Sequence, residues 1–202
     1  VMGNAVTVTQ SFIRFADNAL ISAYLSGNES AFEALVHRYE DRLVNYLNNI
    51  LHDYDLSVDL AQETFIRVFR NASHYKGKYK FSTWIYRIAT NLAIDEMRRR
   101  ERKGRFFFHN VISLFQKDEE TFQFPDLKES PESALGNKER LQLLQTAIDS
   151  LPQKYRLAFI LKEAQELSYQ ETSDILKISL GTAKSRNHRA KLLLRKKLSA
   201  KL

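Results

Sequence analysis

Apolar side chains recurring three and four positions apart leave this chain little choice of architecture. From Phe32 they fall at Leu35, Val36, Tyr39, Leu43, Tyr46 or Leu47, and Ile50. At 3.6 residues per turn, that spacing lines one face of a long helix. With only 6 Gly and 3 Pro in 202 residues, little interrupts such patterns, and an all-α fold is predicted. Ser26 and Glu29 have the Ser-x-x-Glu spacing of a capping box and would open this helix. A second helix is predicted from about Ser57 to Ala72, with Ala61, Phe65, Val68 and Phe69 on one side. A third begins near Ser82, with Trp84, Ile85, Ile88, Ala89, Leu92 and Met97 facing inward.

The helical period fails between 104 and 133. Phe106-Phe107-Phe108 is followed by the acids Asp118, Glu119, Glu120, Asp126, Glu129 and Glu132, with Pro125 and Pro131 among them. About thirty residues is too long for a loop inside one compact domain, so 104–133 reads as a linker. It would join two small helical domains, 17–103 and 134–202, with residues 1–16 as a leader. Helical pattern resumes near Ser130-Pro131, and Ser150-Leu151-Pro152-Gln153 reads as a further helix start.

Charge narrows the partner. Lys plus Arg number 31 and Asp plus Glu 24, a net +7 that favours a polyanion. The absence of cysteine removes disulfides, thiol nucleophiles and Cys-ligated zinc, and is compatible with a reducing compartment. No apolar run approaches the roughly 18 to 20 residues that cross a bilayer. The N-terminus lacks the pattern of a secretory signal, and a cytoplasmic protein is expected.

Ser168-Tyr169-Gln170-Glu171 is a capping box opening a short helix to about Leu176. After a break at Lys177-Ile178-Ser179, Leu180-Gly181-Thr182-Ala183 opens a last helix. Two such helices joined by a short turn make a helix-turn-helix, whose second member fits the DNA major groove. Ala183, Ala190, Leu193 and Leu194 would hold that helix to its support. Lys184 to Lys201 contains eight Lys or Arg and no acid. Lys184, Arg186, Asn187, Arg189 and Lys191 occupy the front turns, with Thr182 just before them and Ser185 among them. Arg can pair with guanine, Asn with adenine, and Lys can hold base or phosphate.

In the first half, Arg98, Arg99, Arg100, Arg102, Lys103 and Arg105 crowd one helix end. Compensating a helix dipole needs one or two of them. Arg87, Asn91 and Arg98 lie along one stripe. The loop from Ser73 to Phe81 carries His74, Tyr75, Lys76, Lys78, Tyr79 and Lys80. Donors beside flat aromatic surfaces suit single-stranded or locally opened DNA, although Phe81 and Trp84 are expected to pack the loop instead. Asp59, Gln62 and Glu63 fall at i, i+3, i+4 opposite Ala61, Phe65 and Val68. A carboxylate patch repels DNA and suits either a cationic protein surface or plain solvent.

Read together, these segments resemble the extracytoplasmic-function (ECF) class of bacterial RNA polymerase sigma factors, over about residues 17 to 103 and 137 to 198. Asp59-Leu60-Ala61-Gln62-Glu63-Thr64-Phe65 resembles the helix that binds the polymerase clamp. Phe81-Ser82-Thr83-Trp84-Ile85-Tyr86-Arg87-Ile88-Ala89-Thr90-Asn91 resembles the promoter-melting helix, and Asp95 to Arg102 matches its basic end. Gly181 to Ala190 resembles the recognition helix of the second domain.

The resemblance implies a sigma domain 2 and a sigma domain 4 joined by a flexible linker. Asp59, Gln62 and Glu63 would bind core RNA polymerase. His74, Tyr75, Lys76, Lys78, Lys80, Arg87, Asn91, Arg98, Arg99 and Arg102 would engage the minus-ten element, whose flipped non-template base the Ser73–Phe81 loop and Asn91 would capture. Thr182, Lys184, Ser185, Arg186, Asn187, Arg189 and Lys191 would read the minus-thirty-five duplex. The linker would run toward the RNA exit path. An anti-sigma protein, often anchored in the inner membrane, would hold the chain inactive. The chain departs from the family with Leu180 where Pro is frequent, and with Asn187 where many members are apolar. Phe106 to Phe108 has no general counterpart.

Two other classes compete with this reading. A helix-turn-helix regulator working without polymerase would not need Asp59, Gln62 and Glu63. A DNA-cleaving recombinase using a serine or tyrosine nucleophile finds no strong support, since Tyr and Ser are scattered and the sequence has no compact carboxylate cluster for magnesium. His37, His52, His74, His109 and His188 have no metal-ligand spacing. No enzyme activity, metal or cofactor is expected.

Overall fold

The computed structural model describes residues 15–75, 77–105 and 143–199, with side chains through 102 in the second stretch. The leader up to 14, Lys76, the phenylalanine triplet, most of the linker and the helix start at Ser130-Pro131 lie outside the described residues. Every regular element among the described residues is helical. They are α1 (Asp17–Leu25), α2 (Glu29–Leu51), α3 (Tyr54–Asn71) with a 3-10 turn at Ala72–His74, and α4 (Phe81–Arg105). After these come α5 (143–149), α6 (Gln153–Phe159) running into a π turn at Ile160–Ala164, α7 (Tyr169–Leu176) and α8 (Leu180–Ser199).

Local chemistry explains the boundaries, with one correction. Ser26 does not cap α2. It ends α1, its hydroxyl donating to the Ser22 carbonyl at 3.0 Å, and Asn28 stands at the α2 N-cap. A helix already arrives from Asp17, and Gly27 turns the chain at φ +97°, a conformation only glycine adopts freely. Asp53 caps α3 by accepting from the Leu56 N–H at 3.1 Å.

The long α2 lies at the centre of the first half. Leu35, Tyr39, Leu43, Tyr46, Leu47 and Ile50 are buried against Ala61 and Val68 of α3 and Phe81, Ile85, Tyr86 and Ala89 of α4. Buried phenols need partners for their hydroxyls. Tyr39 donates to Asp17 at 2.6 Å, and Tyr46 sits 2.7 Å from the Thr90 hydroxyl. Phe69, expected inside, is 55% exposed. The inner stripe of α3 is Ser57, Ala61, Thr64 and Val68, which carries Phe69 round to the edge beside Tyr24 and Phe32.

The second half does not stand apart from the first. Ala147, Leu151, Ala190 and Leu194 form a small cluster of their own. Leu157, Ile160, Leu161, Leu167 and Ile175, by contrast, belong to the same buried cluster as α2 and α4. Helix α7 packs on α4. Polar contacts flank the join: Tyr86 donates to Gln165 Oε1 at 2.5 Å, Lys80 pairs with Glu171 at 3.0 Å, and His52 meets Asp149 at 2.9 Å.

Candidate functional site

The outer face of α3 presents Asp59 and Gln62 to solvent, with Glu63 partly exposed. Glu63 takes Arg67, one turn on, at 2.7 Å, a surface pair of small energetic weight. The helix keeps this face outward because its buried side is small and hydroxylated. Ser57 donates to the Asp53 carbonyl at 2.6 Å and Thr64 to the Leu60 carbonyl at 2.7 Å. Sequence reasoning missed the apolar continuation of this face, Ile66 (44% exposed) and Phe69.

Between α3, the 3-10 turn and α4 lies an open cavity of about 310 Å³, lined by Arg67, Asn71, His74, Trp84, Ile88 and Asn91. It brings together His74 and Asn91, both singled out from sequence. It adds Arg67 and Asn71, which share a face of α3 at i, i+4 spacing and carried no motif of their own. The Asn71 amide donates to the Arg67 carbonyl at 2.8 Å.

Tyr75 is not a free stacking surface. Its ring stacks on Trp84 at 5.0 Å and meets the edge of Phe81, and its hydroxyl lies 2.8 Å from Asn18 Oδ1 and 2.7 Å from the Tyr79 carbonyl. Burial pushes the phenol up, and the Asp17 charge adds to the shift. The residue holds the loop on α4, as Phe81, 1% exposed, does beside it. Lys78 is exposed and lies over the Tyr79 ring. Lys80, though 74% exposed, pairs with Glu171.

Along α4, Arg87 is half-buried, and Asn91, Arg98 and Arg102 are exposed. Arg98 lies 3.7 Å from Asp95, and Arg102 donates to the Arg98 carbonyl at 3.3 Å. The excess of cations is partly neutralised from within. Glu96, 9% exposed, accepts two bonds from Arg99 at 2.6 and 3.0 Å and one from Arg100 at 3.1 Å. The Arg99 hydrogen bonds foremost hold its carboxyl below the usual carboxylate range.

The helix-turn-helix forms where the spacing placed it. Ser168 accepts from the Glu171 N–H at 3.2 Å and Glu171 from the Ser168 N–H at 2.8 Å, a complete capping box. Lys177 turns the chain at φ 53°. Ser179 then accepts from the Thr182 N–H at 3.0 Å and starts α8. Lys184 and Ser185 are exposed; Thr182, Arg186, Arg189 and Lys191 are partly so.

Asn187 is not on the exposed face of α8. It is 1% exposed and belongs to the buried stripe Ala183, Asn187, Ala190 and Leu194. Its Nδ2 donates to Glu163 Oε1 at 2.9 Å and to the Tyr169 hydroxyl at 3.1 Å. The expected base contact is therefore corrected: seven positions separate Ala183 from Ala190, and position 187 falls on the same inward face. Lys191, one turn later, is drawn to the same acid, 2.7 Å from Glu163 Oε1. Burial works to raise the Glu163 carboxyl, but hydrogen bonds from Lys191 and Asn187 outweigh it and lower the pKa.

Among the described residues, no group of His, Asp and Glu could hold a metal ion, and no helix is long and apolar enough to cross a membrane.

Known proteins divide along the same lines. The Sigma-70 region 2 family matches residues 35–103 and the Sigma-70 region 4 family residues 141–194. The ECF RNA polymerase sigma factor SigW of Bacillus subtilis is 36% identical over 172 residues, covering 85% of this chain and 91% of that protein. The RNA polymerase sigma-H factor of Pseudomonas aeruginosa is 31% identical, covering 90% and 93%. Among solved structures, the sigma factor RpoE of Bartonella quintana, in complex with the anti-sigma factor NepR, superposes with a TM-score of 0.62 at 23% identity, over 83% and 96% of the two chains. CnrH, in complex with the cytosolic domain of CnrY, gives 0.67 at 20% identity, over 92% and 99%.

Proposed function

The chain belongs to the ECF class of RNA polymerase sigma factors, and on that premise we propose that it carries core RNA polymerase to promoters through three separate faces. Asp59, Gln62 and Glu63 on α3 dock on the polymerase clamp. His74, Lys78, Arg87, Asn91, Arg98 and Arg102 engage the minus-ten element, with Lys80 and Arg99 adding charge at the edges. Thr182, Lys184, Ser185, Arg186 and Arg189 meet the minus-thirty-five duplex. Residues 17–103 and 134–202 act as the two promoter-binding domains, and 104–133 as their tether.

The observation that carries this reading is the cavity between α3 and α4. His74, Asn91 and Trp84 line it together, so that polar side chains and an aromatic one border a single space. A base drawn from the duplex loses stacking and pairing worth a few kcal/mol, which a fitted site and phosphate contacts offset. The polymerase performs the chemistry; this chain contributes binding energy. Duplex contact through α8 weakens steeply with salt.

Control by an anti-sigma protein completes the proposal, supported by fold likeness to a sigma factor solved with an anti-sigma factor. An inner-membrane anchor on that partner would keep the chain at the membrane. Run-off transcription with core polymerase on promoters randomised at both elements tests the function. Initiation confined to a defined pair of elements is expected; initiation indifferent to sequence at every salt concentration would overturn it.

A further inference from the structure

A buried amide in a recognition helix is a costly choice when an alanine or leucine could pack there instead. Asn187 is not even fully satisfied: its Oδ1 has no hydrogen-bond partner. What its Nδ2 gains is direction. One bond runs to Glu163 in the π turn and the other to Tyr169 at the start of α7, so two separate elements fix one side chain. The rest of the stripe, Ala183, Ala190 and Leu194, packs without directional bonds and tolerates rolling of the helix.

We infer that Asn187, through Glu163 and Tyr169, is the positioning residue that sets the rotation of α8 about its own axis, and with it the set of side chains α8 offers to duplex DNA. This rests on the reading of α8 as the duplex-binding helix. At about 100° per residue, Ser185 and Arg189 lie roughly 160° from Asn187 on either side. They are thus carried outward by whatever holds Asn187 inward. Lys191, only about 40° from Asn187 on the same helix, is pulled to the shared Glu163 oxygen. The acid therefore keeps Lys191 at the scaffold, while Lys184 and Ser185 stay exposed. The π turn contributes by presenting Glu163 toward α8 from the end of α6, a use of such widened turns that recurs at functional positions.

The test is run-off transcription by the full chain with core polymerase. The two templates differ only upstream: one carries the element selected from a randomised pool, the other a scrambled element. The readout is their activity ratio, beside thermal stability and activity on a pre-opened template lacking an upstream element. Asn187→Leu is expected to lower the ratio about tenfold, the worth of one hydrogen bond to a charged group. Stability and pre-opened activity should hold. Glu163→Gln should lower the ratio too, and the double variant no further, because the two act as one unit. If Asn187→Leu does not fold, Tyr169→Phe, which deletes a single hydroxyl, decides with an expected loss of about threefold. A wild-type ratio in the leucine or phenylalanine variant overturns the inference, as does equal loss on all templates. A wild-type chain indifferent to the upstream element would instead overturn the reading of α8.

Discussion

Arg100, in the last turns of α4, reaches Asp53 at the N-cap of α3 across 2.6 Å, tying the basic end of one helix to the start of another. The Leu56 N–H and then Arg100 hold the Asp53 carboxyl below its usual pKa, and Arg99 and Arg100 do the same for Glu96. A carboxylate lowered in the folded chain stabilises it above the unfolded pKa, and loses that effect as pH falls through the folded value. Thermal unfolding from pH 7 downward should therefore show Tm level near neutrality and falling below the ordinary carboxylate range. Asp53→Asn should give a lower Tm at pH 7 and a shallower acid slope; an unchanged slope would remove Asp53 from the account.

Tyr86→Phe removes the hydroxyl that Gln165 accepts at 2.5 Å. Because Gln165 is only half-buried, water can replace part of the bond. The expected loss is about 1 kcal/mol, read from urea denaturation as a lower midpoint at unchanged slope. A loss of stability confined to residues 17–103 by hydrogen exchange would show that the hydroxyl does not join the halves.

Charge reversal on α3, as Asp59→Lys with Glu63→Lys, should weaken association with core polymerase at least tenfold. Both side chains point away from the buried stripe of Ala61, Thr64 and Val68, so folding should be preserved. Sedimentation or fluorescence titration with core polymerase gives the comparison. Unaltered association would transfer docking to another face.

The cavity makes a distinct prediction. Asn91→Ala with His74→Ala should slow open-complex formation about tenfold on a fully paired promoter, since donors to an extruded base are lost. A template already mismatched across the minus-ten element should restore most of the rate. Equal defects on both templates would assign these residues to duplex binding.

Where interactions are local, the sequence was readable. The Ser168–Glu171 box depends on contacts three residues apart, and it is complete. The same pattern at Ser26 and Glu29 misled, because a helix arriving from Asp17 and the turn at Gly27 claim Ser26 first. Asn187 was readable by position and hidden by residue type: Ala183, Ala190 and Leu194 define a face that includes it, yet an asparagine among arginines invites a base contact. The packing of α7 on α4 left no local trace, for any amphipathic helix could have filled that place. The π turn was equally silent, since Leu157, Ala158, Ile160 and Leu161 continue an apolar run across it.

Leu157, Ile160, Leu161, Leu167 and Ile175 share their burial with α2 and α4, and this gives the molecule a selectivity that no surface side chain supplies. A ligand that needs α7 lifted from α4 binds only the fraction of chains already parted, and its apparent affinity is scaled down by that fraction. A ligand that grips the joined form meets no such handicap. Weakening the seam therefore strengthens every partner of the first kind together, at the expense of those of the second, without altering one contact that either makes.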